Sequence, residues 1–233
     1  MRPDDPELIR LILSAYQRGV FPMGTADTPV DPAALGLPGA FGPWVQWITV
    51  DPRSIIPLQT FHASRSLRAA VRSKKFVITS NNAFARVIQS CANVPRGTIA
   101  GDSWINPWII DAFVTLHAAG HAHSIEAWLP AQSPDASPTL VGGLYGVHLG
   151  GAFFGESMFS RPDLGGTNAS KVCLVHLVAH LRRRGFALLD TQYSNPHMEQ
   201  FGVRDVPRGE YLRLLRSAAA HEVGWGELEP LAI

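Results

Sequence analysis

Three closely spaced apolar stretches decide the fold: His123-Ser124-Ile125-Glu126-Ala127-Trp128-Leu129, Leu140-Val141-Gly142-Gly143-Leu144-Tyr145-Gly146-Val147-His148-Leu149, and Ala152-Phe153-Phe154. Each is short, apolar and bounded by Gly, Pro or Ser, which reads as a β-strand. The Pro/Ser-rich residues 130–138 join the first two as a solvent-exposed hairpin loop, and Gly150-Gly151 reads as a bend before the third.

Downstream, residues 169–184 predict a helix with Val172, Val175, Leu177, Val178 and Leu181 on its buried side, stopped by Gly185. Residues 186–190 follow as a short buried strand. Asn195-Pro196 opens a short helix closed by Gly202, and 210–220 forms the last helix. Upstream, Leu8, Leu11, Ile12 and Tyr16 recur at helical spacing over 7–18, whereas 21–47 is crowded with Pro and Gly and predicts an irregular lobe. Strands are expected over 51–58 and 76–79, and helices over 64–73, 82–91 and 107–119. Antiparallel hairpins beside helices argue for an α+β layer fold rather than a doubly wound sheet. A boundary near 57–62 would divide the chain into a small N-terminal domain, 1–60, and a larger domain, 61–233.

A chain of 233 residues, 46% of them hydrophobic, has enough apolar surface to bury a sizeable core. Its first residues lack the basic-then-apolar order of a secretory signal, and no stretch is apolar for long enough to span a bilayer, so a cytoplasmic location is expected. Cys91 and Cys173 are far apart and read as small buried hydrophobes. The net charge of +1 conceals an asymmetry, because no acid occurs between Asp51 and Asp102.

That interval holds Arg65, Arg68, Arg72, Lys74 and Lys75, basic residues at three- and four-residue intervals on and just after one predicted helix. A solvated helix face usually mixes both signs. A single-signed one suits the phosphates of a nucleic acid. His117, His121 and His123 invite a zinc reading, but their spacing crosses Gly120 from helix to strand and no Cys completes a set, so they read as structural and no metal is expected.

Several motifs resemble the leucyl/phenylalanyl-tRNA–protein transferase family in that family's order. They are Ala15-Tyr16-Gln17-Arg18-Gly19-Val20-Phe21-Pro22, Asp51-Pro52-Arg53, Phe61-His62 with Ser64-Arg65-Ser66-Leu67, Gly120-His121-Ala122-His123-Ser124-Ile125-Glu126, Gly155-Glu156-Ser157-Met158-Phe159-Ser160-Arg161, Ala169-Ser170-Lys171 and Leu189-Asp190-Thr191-Gln192. The resemblance implies a GNAT-like acyltransferase domain behind a small N-terminal domain. It also implies transfer of Leu or Phe, with Met open, from charged tRNA to proteins beginning with Arg or Lys, marking them for degradation by the N-degron pathway. No cofactor is implied, and a monomer is expected. Many members carry Trp after Phe-Pro at a position lining the aminoacyl-adenosine site, where this chain has Met23; Ser103-Trp104-Ile105 replaces Thr-Trp-Ile, after an insertion at 99–102.

The implied chemistry is aminolysis of an ester, which needs two partners held in place and one proton accepted. Asp190 and Gln192, two apart at a strand end, would share a face if the chain stayed extended, and with the resemblance they are the expected catalytic pair. Glu156 is expected to bind the acceptor, with an ion pair to Arg161 as the plainer alternative. Met23, Trp104, Phe153 and Phe159 are candidates for an apolar donor pocket, though each would serve equally as core. An acyl-CoA enzyme is the nearest rival, but Arg182 to Ala187, which matches its phosphate loop by letter, runs from helix to strand instead of strand to helix. A tRNA-dependent cell-wall transferase is a second rival. A non-enzymatic RNA binder is a third, against which the carboxylates Glu156 and Asp190 count.

Overall fold

The computed structural model describes residues 6–24, 45–94 and 103–231. The 99–102 insertion, Arg96 and most of the Pro/Gly-rich lobe lie outside those residues. The helices are α1 (Pro6–Gln17), α2 (Arg65–Arg72), α3 (Phe84–Ala92), α4 (Pro107–Ala118), α5 (Ala169–Arg184), α6 (Pro196–Glu199) and α7 (Arg208–Ala219). The strands are β1 (Phe21–Gly24), β2 (Val45–Ile48), β3 (Arg53–Ile55), β4 (Val77–Ser80), β5 (Ala122–Leu129), β6 (Thr139–Leu149), β7 (Ala152–Ser160), β8 (Leu188–Gln192) and β9 (Arg204–Val206).

Strands β3 to β9 form one mixed sheet in the order β4-β5-β6-β7-β8-β3-β9, and β1 pairs with β2 as a separate ribbon. Every pairing in the large sheet is antiparallel except β7 with β8. That exception follows from the connection, since α5 carries the chain back across the sheet, as a parallel pair requires. β3, which precedes the expected boundary at residue 60, is an inner strand of this sheet, flanked by β8 and β9.

Both faces of the sheet are covered, and the alternation of side chains sorts the core in two. Tyr145, Val147 and Phe154 join α1, α3 and α4 in one cluster, whereas Leu144, Phe153 and Leu189 join α5 and α2 in the other. α5 has buried residues on most of its circumference, including Val172, Cys173, Leu177, Val178 and Leu181, which explains its apolar continuity in sequence. Its C-terminal arginines tie down the chain's end: Arg183 donates to the carbonyls of Glu229 and Pro230, and Arg184 to that of Gly224. Asn106 and Ser64 cap α4 and α2 through their side chains.

β7 is longer than the sequence suggests. The apolar run ends at Phe154, yet the strand continues to Ser160 after a register shift opposite Tyr145/Gly146. Glu156 is therefore held on a strand rather than on a loop. Among the described residues no helix is long and apolar enough to cross a membrane.

Candidate active site

The centre of the site is a buried carboxylate. Asp190, fully buried on β8, accepts from Arg53 Nε at 3.0 Å and Nη2 at 2.9 Å, from the Tyr211 hydroxyl, and from the Gln192 backbone N–H at 2.8 Å. Arg53 is 1% exposed, its guanidinium between the rings of Phe21 and Tyr211 at 4.7 and 4.9 Å, and Nη1 donates to the Gly19 carbonyl. Burial works against the Arg53 charge, but the neighbouring Asp190 outweighs it and the pKa rises. Burial and then the Asp190 charge push the Tyr211 phenol up, so it stays a donor. Gly19, at φ +72, lets α1 end against Tyr211, where a Cβ would come within 2.8 Å of Cε1.

Asp190 and Gln192 do not share a face. Gln192 has φ +60, and the Tyr193 N–H donates to the Thr191 carbonyl at 2.8 Å, a tight γ-type turn that is strained for a non-glycine residue. The Gln192 N–H bond to Asp190 holds that turn. The Gln192 side chain then donates from Nε2 to Glu156 Oε1 at 3.2 Å. Asp190 is thus hydrogen-bonded through both oxygens within the protein and does not line the cavity beside it, whereas Gln192 does.

Glu156 does line that cavity, whose volume is about 270 Å³. Tyr16, buried on α1, donates to Glu156 Oε1 at 2.7 Å. Burial pushes the Glu156 carboxyl up to about 8; the Tyr16 bond pulls it down and the Asp190 charge adds to the rise. The alternative partner, Arg161, is exposed and paired with Asp163 instead. The cavity floor is aliphatic, built from Leu144 and Met158 on the sheet, Leu174 and Leu177 on α5, and Leu189 on β8. Trp104, Tyr193, Asn195 and His197 line it as well, with Tyr193 and His197 exposed at its mouth.

Of the four expected pocket residues, only Trp104 is on the cavity. The Trp104 carbonyl accepts from the Gly24 N–H at 2.8 Å, and a Cβ on Gly24 would collide with that oxygen at 2.4 Å. Phe153 points to the α5 side of the sheet and packs against Trp225, Phe159 is core beside Gly143, and Met23 packs against the core cluster that contains α1 and α4. These three are packing residues: Phe159 and Met23 belong to the cluster on the α1 and α4 side of the sheet, whereas Phe153 is on the same side as the floor but packs against Trp225.

The basic row is exposed on α2 and just beyond it, and Arg65, Arg68, Arg72 and Lys74 form no ion pair among the described residues. Lys75 departs from the row, because its Nζ donates to the Gly165 carbonyl at 2.7 Å. The histidines are placed structurally: His117 stacks on Phe84 at 4.3 Å and bonds the Ala122 carbonyl, and His123 stacks on Trp225 at 4.1 Å. Sequence reasoning missed Arg53, Tyr16 and Tyr211 as parts of the site. The available signal was an arginine leading into the apolar run Ser54-Ile55-Ile56, since a buried cation demands a buried partner.

A family profile described as leucyl/phenylalanyl-tRNA protein transferase matches residues 55–216. Curated proteins bearing that name are 46% identical in Salinibacter ruber, over 97% of this chain and 86% of the relative, and 44% identical in Maricaulis maris, over 93% and 88%. A third, from Rhizorhabdus wittichii, is 44% identical over 97% of this chain and 79% of its own length. Among solved structures, the crystal structure of FemX aligns with 92% of this chain and 75% of its own at a TM-score of 0.44 and 11% identity. With a family profile covering well over half of its length and relatives aligned almost end to end, this chain is an aminoacyltransferase that belongs to the leucyl/phenylalanyl-tRNA–protein transferase family.

Proposed function

We propose that this enzyme moves Leu or Phe, with Met as a further donor side chain, from charged tRNA to the N-terminal Arg or Lys of acceptor proteins and so marks them for degradation by the N-degron pathway. The observation that carries the reading is an aliphatic cavity with a single carboxylate, Glu156, fixed on its wall by Tyr16 and Gln192. Unbranched-at-Cβ apolar side chains suit such a floor, and polar ones would leave groups unpaired there.

In this mechanism the donor side chain enters among Leu144, Leu174, Leu177 and Leu189, which brings its ester carbonyl towards Glu156. The acceptor α-amine attacks that carbonyl, the new C–N bond forms, and the bond to the terminal ribose oxygen breaks. Glu156 takes the proton from the amine and returns it to the ribose oxygen, so nothing is consumed. Its pKa of about 8 is close to that of an α-amine, about 7.7–8.0, which favours proton exchange in both directions. Gln192 holds the carboxylate and the amine in register. Asp190 and Arg53 act as positioning residues that hold the Gln192 turn. Arg65, Arg68, Arg72 and Lys74 take the phosphates of the tRNA. The large domain is GNAT-like, follows a small N-terminal domain with a boundary near residue 61 across which β3 joins the large sheet, and works as a cytosolic monomer; a sheet that is antiparallel save for the β7–β8 pair supports that reading of the fold.

The test is transfer of radiolabelled Leu or Phe from charged tRNA to a protein beginning with Arg, beside the same protein beginning with Ala. Label on the Arg protein alone is the expected result. Label on neither, with folded enzyme and intact charged tRNA, would overturn it.

A further inference from the structure

The two edges of the large sheet are finished differently. β9 closes one of them with three residues, of which Arg204 is ion-paired to Glu210, Asp205 accepts from the Ser54 hydroxyl and Val206 is buried. β4, at the other end, has no strand on its outer side among the described residues, and Val77, Ile78, Thr79 and Ser80 bring no charge to it. Val77 is 52% exposed, more than any other large apolar side chain among the described residues. An uncharged edge with an exposed aliphatic side chain is a template for pairing, which proteins ordinarily blunt with charges, as β9 does.

Each face of that edge has its own groove. On the α3 side, Val77 and Thr79 border a hollow of about 400 Å³ with Arg86, Trp128 and Pro138. On the α5 side, Phe76 and Ile78 border another of about 320 Å³ with Val71, Val172 and Leu228. Successive residues of a strand point to opposite faces, so a strand added beside β4 would send alternate side chains into the two grooves. No carboxylate lines the first groove. Its cation, Arg86, lies over the Trp128 ring at 5.1 Å and forms no ion pair among the described residues, and the indole N–H of Trp128 is fixed by donation to Thr79 at 2.8 Å. We propose that the β4 edge is a docking site for an extended segment of a partner protein, paired to β4 as an additional strand, with acidic side chains towards Arg86 and apolar ones towards Phe76 and Ile78.

Two other occupants fit less well. A second copy, pairing β4 with β4 about a twofold axis, would bring both Arg86 side chains to one face of the seam and both Lys74-Lys75 pairs to its ends, and the stretch between Asp51 and Asp102 holds no acid to offset them. A nucleic acid would find no open stacking platform, because Arg86 covers a face of Trp128, and the exposed Val77 offers nothing to a phosphate. The backbone of an uncharged edge is matched by another backbone, and the free cation beside it by a carboxylate. Three strands, β5, β6 and β7, separate β4 from β8, so a segment docked here leaves the cavity at Glu156 open.

The probe is a short peptide of alternating Glu and Val, beside one of alternating Lys and Val and one of alternating Glu and Pro, which keeps the charge but loses every second N–H. Binding to the full chain is read by fluorescence anisotropy, and the place of binding by hydrogen exchange of the amides of residues 76–80. The Glu–Val peptide is expected to bind and to slow that exchange, and the other two to bind about tenfold more weakly or worse. Arg86→Glu and Val77→Glu, both surface changes outside the transfer machinery, should each weaken the Glu–Val peptide by about tenfold, and Arg86→Glu should bind the Lys–Val peptide more tightly than wild type does. No slowing of exchange at 76–80, equal affinity for the three peptides, or unchanged affinity in both variants would overturn the docking site. Slowed exchange at the same amides on adding tRNA, or on raising the enzyme's own concentration without peptide, would overturn it in favour of a nucleic acid or a second copy.

Discussion

Arg53 and Asp190, 137 residues apart in sequence, form a forked ion pair with both side chains at 1% exposure or less. Neither charge reaches solvent, and among the described residues each is hydrogen-bonded by the other and by Tyr211, Gly19 and Gln192. Removing one member leaves a buried charge alone, which typically costs about 3–5 kcal/mol. Arg53→Ala and Asp190→Ala are therefore both expected to lower stability by about that amount in chemical denaturation. Transfer should also fall, since the Gln192 turn loses its anchor. The double variant Arg53→Met with Asp190→Leu should recover much of the stability and none of the transfer. Equal stability of Asp190→Ala and wild type would show that the pair is not held as described.

Glu156 titrates where it can be followed. If its ionised form accepts the proton, transfer rises with pH along a limb with a midpoint near 8. Glu156→Gln should remove the limb together with most of the activity. Tyr16→Phe deletes a bond that stabilises the carboxylate and should move the midpoint upward. The stability effect has the opposite direction. A folded-state pKa raised above the unfolded value of 4.5 favours folding at low pH, and that contribution is lost as pH rises towards 8. Denaturation midpoints of Glu156→Gln should accordingly depend less on pH over that range than those of wild type.

The C-terminal segment depends on neutral histidines. Trp225 is buried against His123 and His180, whose pKa values burial lowers to about 3 and about 4, and against His148, lowered as well. A depressed folded-state value gives stability that is full above about 6.5 and is lost as pH falls towards 4. Limited proteolysis should cut within 221–231 more readily at pH 4.5 than at pH 7. His123→Phe should blunt the difference, and an identical cleavage rate at both pH values would count against it.

The exposed row on α2 makes a separate prediction about salt. Reversing Arg65 and Arg68 to Glu should weaken tRNA binding and flatten the dependence of log K on log salt by about 0.7–0.9 per lost phosphate contact. Lys75→Ala, whose ammonium is engaged by Gly165, should change the slope little. An unchanged slope in the Arg65/Arg68 variant would make the helix face an ordinary solvated one.

Much of the fold was legible because local signals agreed with tertiary ones. Helix α5 has the predicted bounds, residues 169–184, because its apolar spacing and the Gly185 stop, with φ +84, act within the segment itself. β5 and β6 were readable for the same reason. β9 and the β1–β2 ribbon were not, since strands of three or four residues carry too little periodicity to stand out. In the site, Glu156, Gln192 and Trp104, each a candidate in the sequence, line one cavity. The partner of Asp190 was not legible, because Arg53 is 137 residues away in sequence and no spacing rule links residues across a sheet. Phe153 and Phe159 show the limit of composition, because nothing local to an aromatic on a strand distinguishes one that meets an opening from one that packs in the core.

The inner position of β3 governs when the enzyme can exist at all. Its neighbours β8 and β9 are made long after it, and Arg53 leaves the ribosome 137 residues ahead of Asp190. At about 5–20 residues per second that interval is on the order of 10 s, during which the guanidinium has no counter-charge and the strand no partners. A nascent chain truncated before β8 contains the basic row on α2 but neither Asp190 nor Gln192, so the buried pair forms only once β8 has been made.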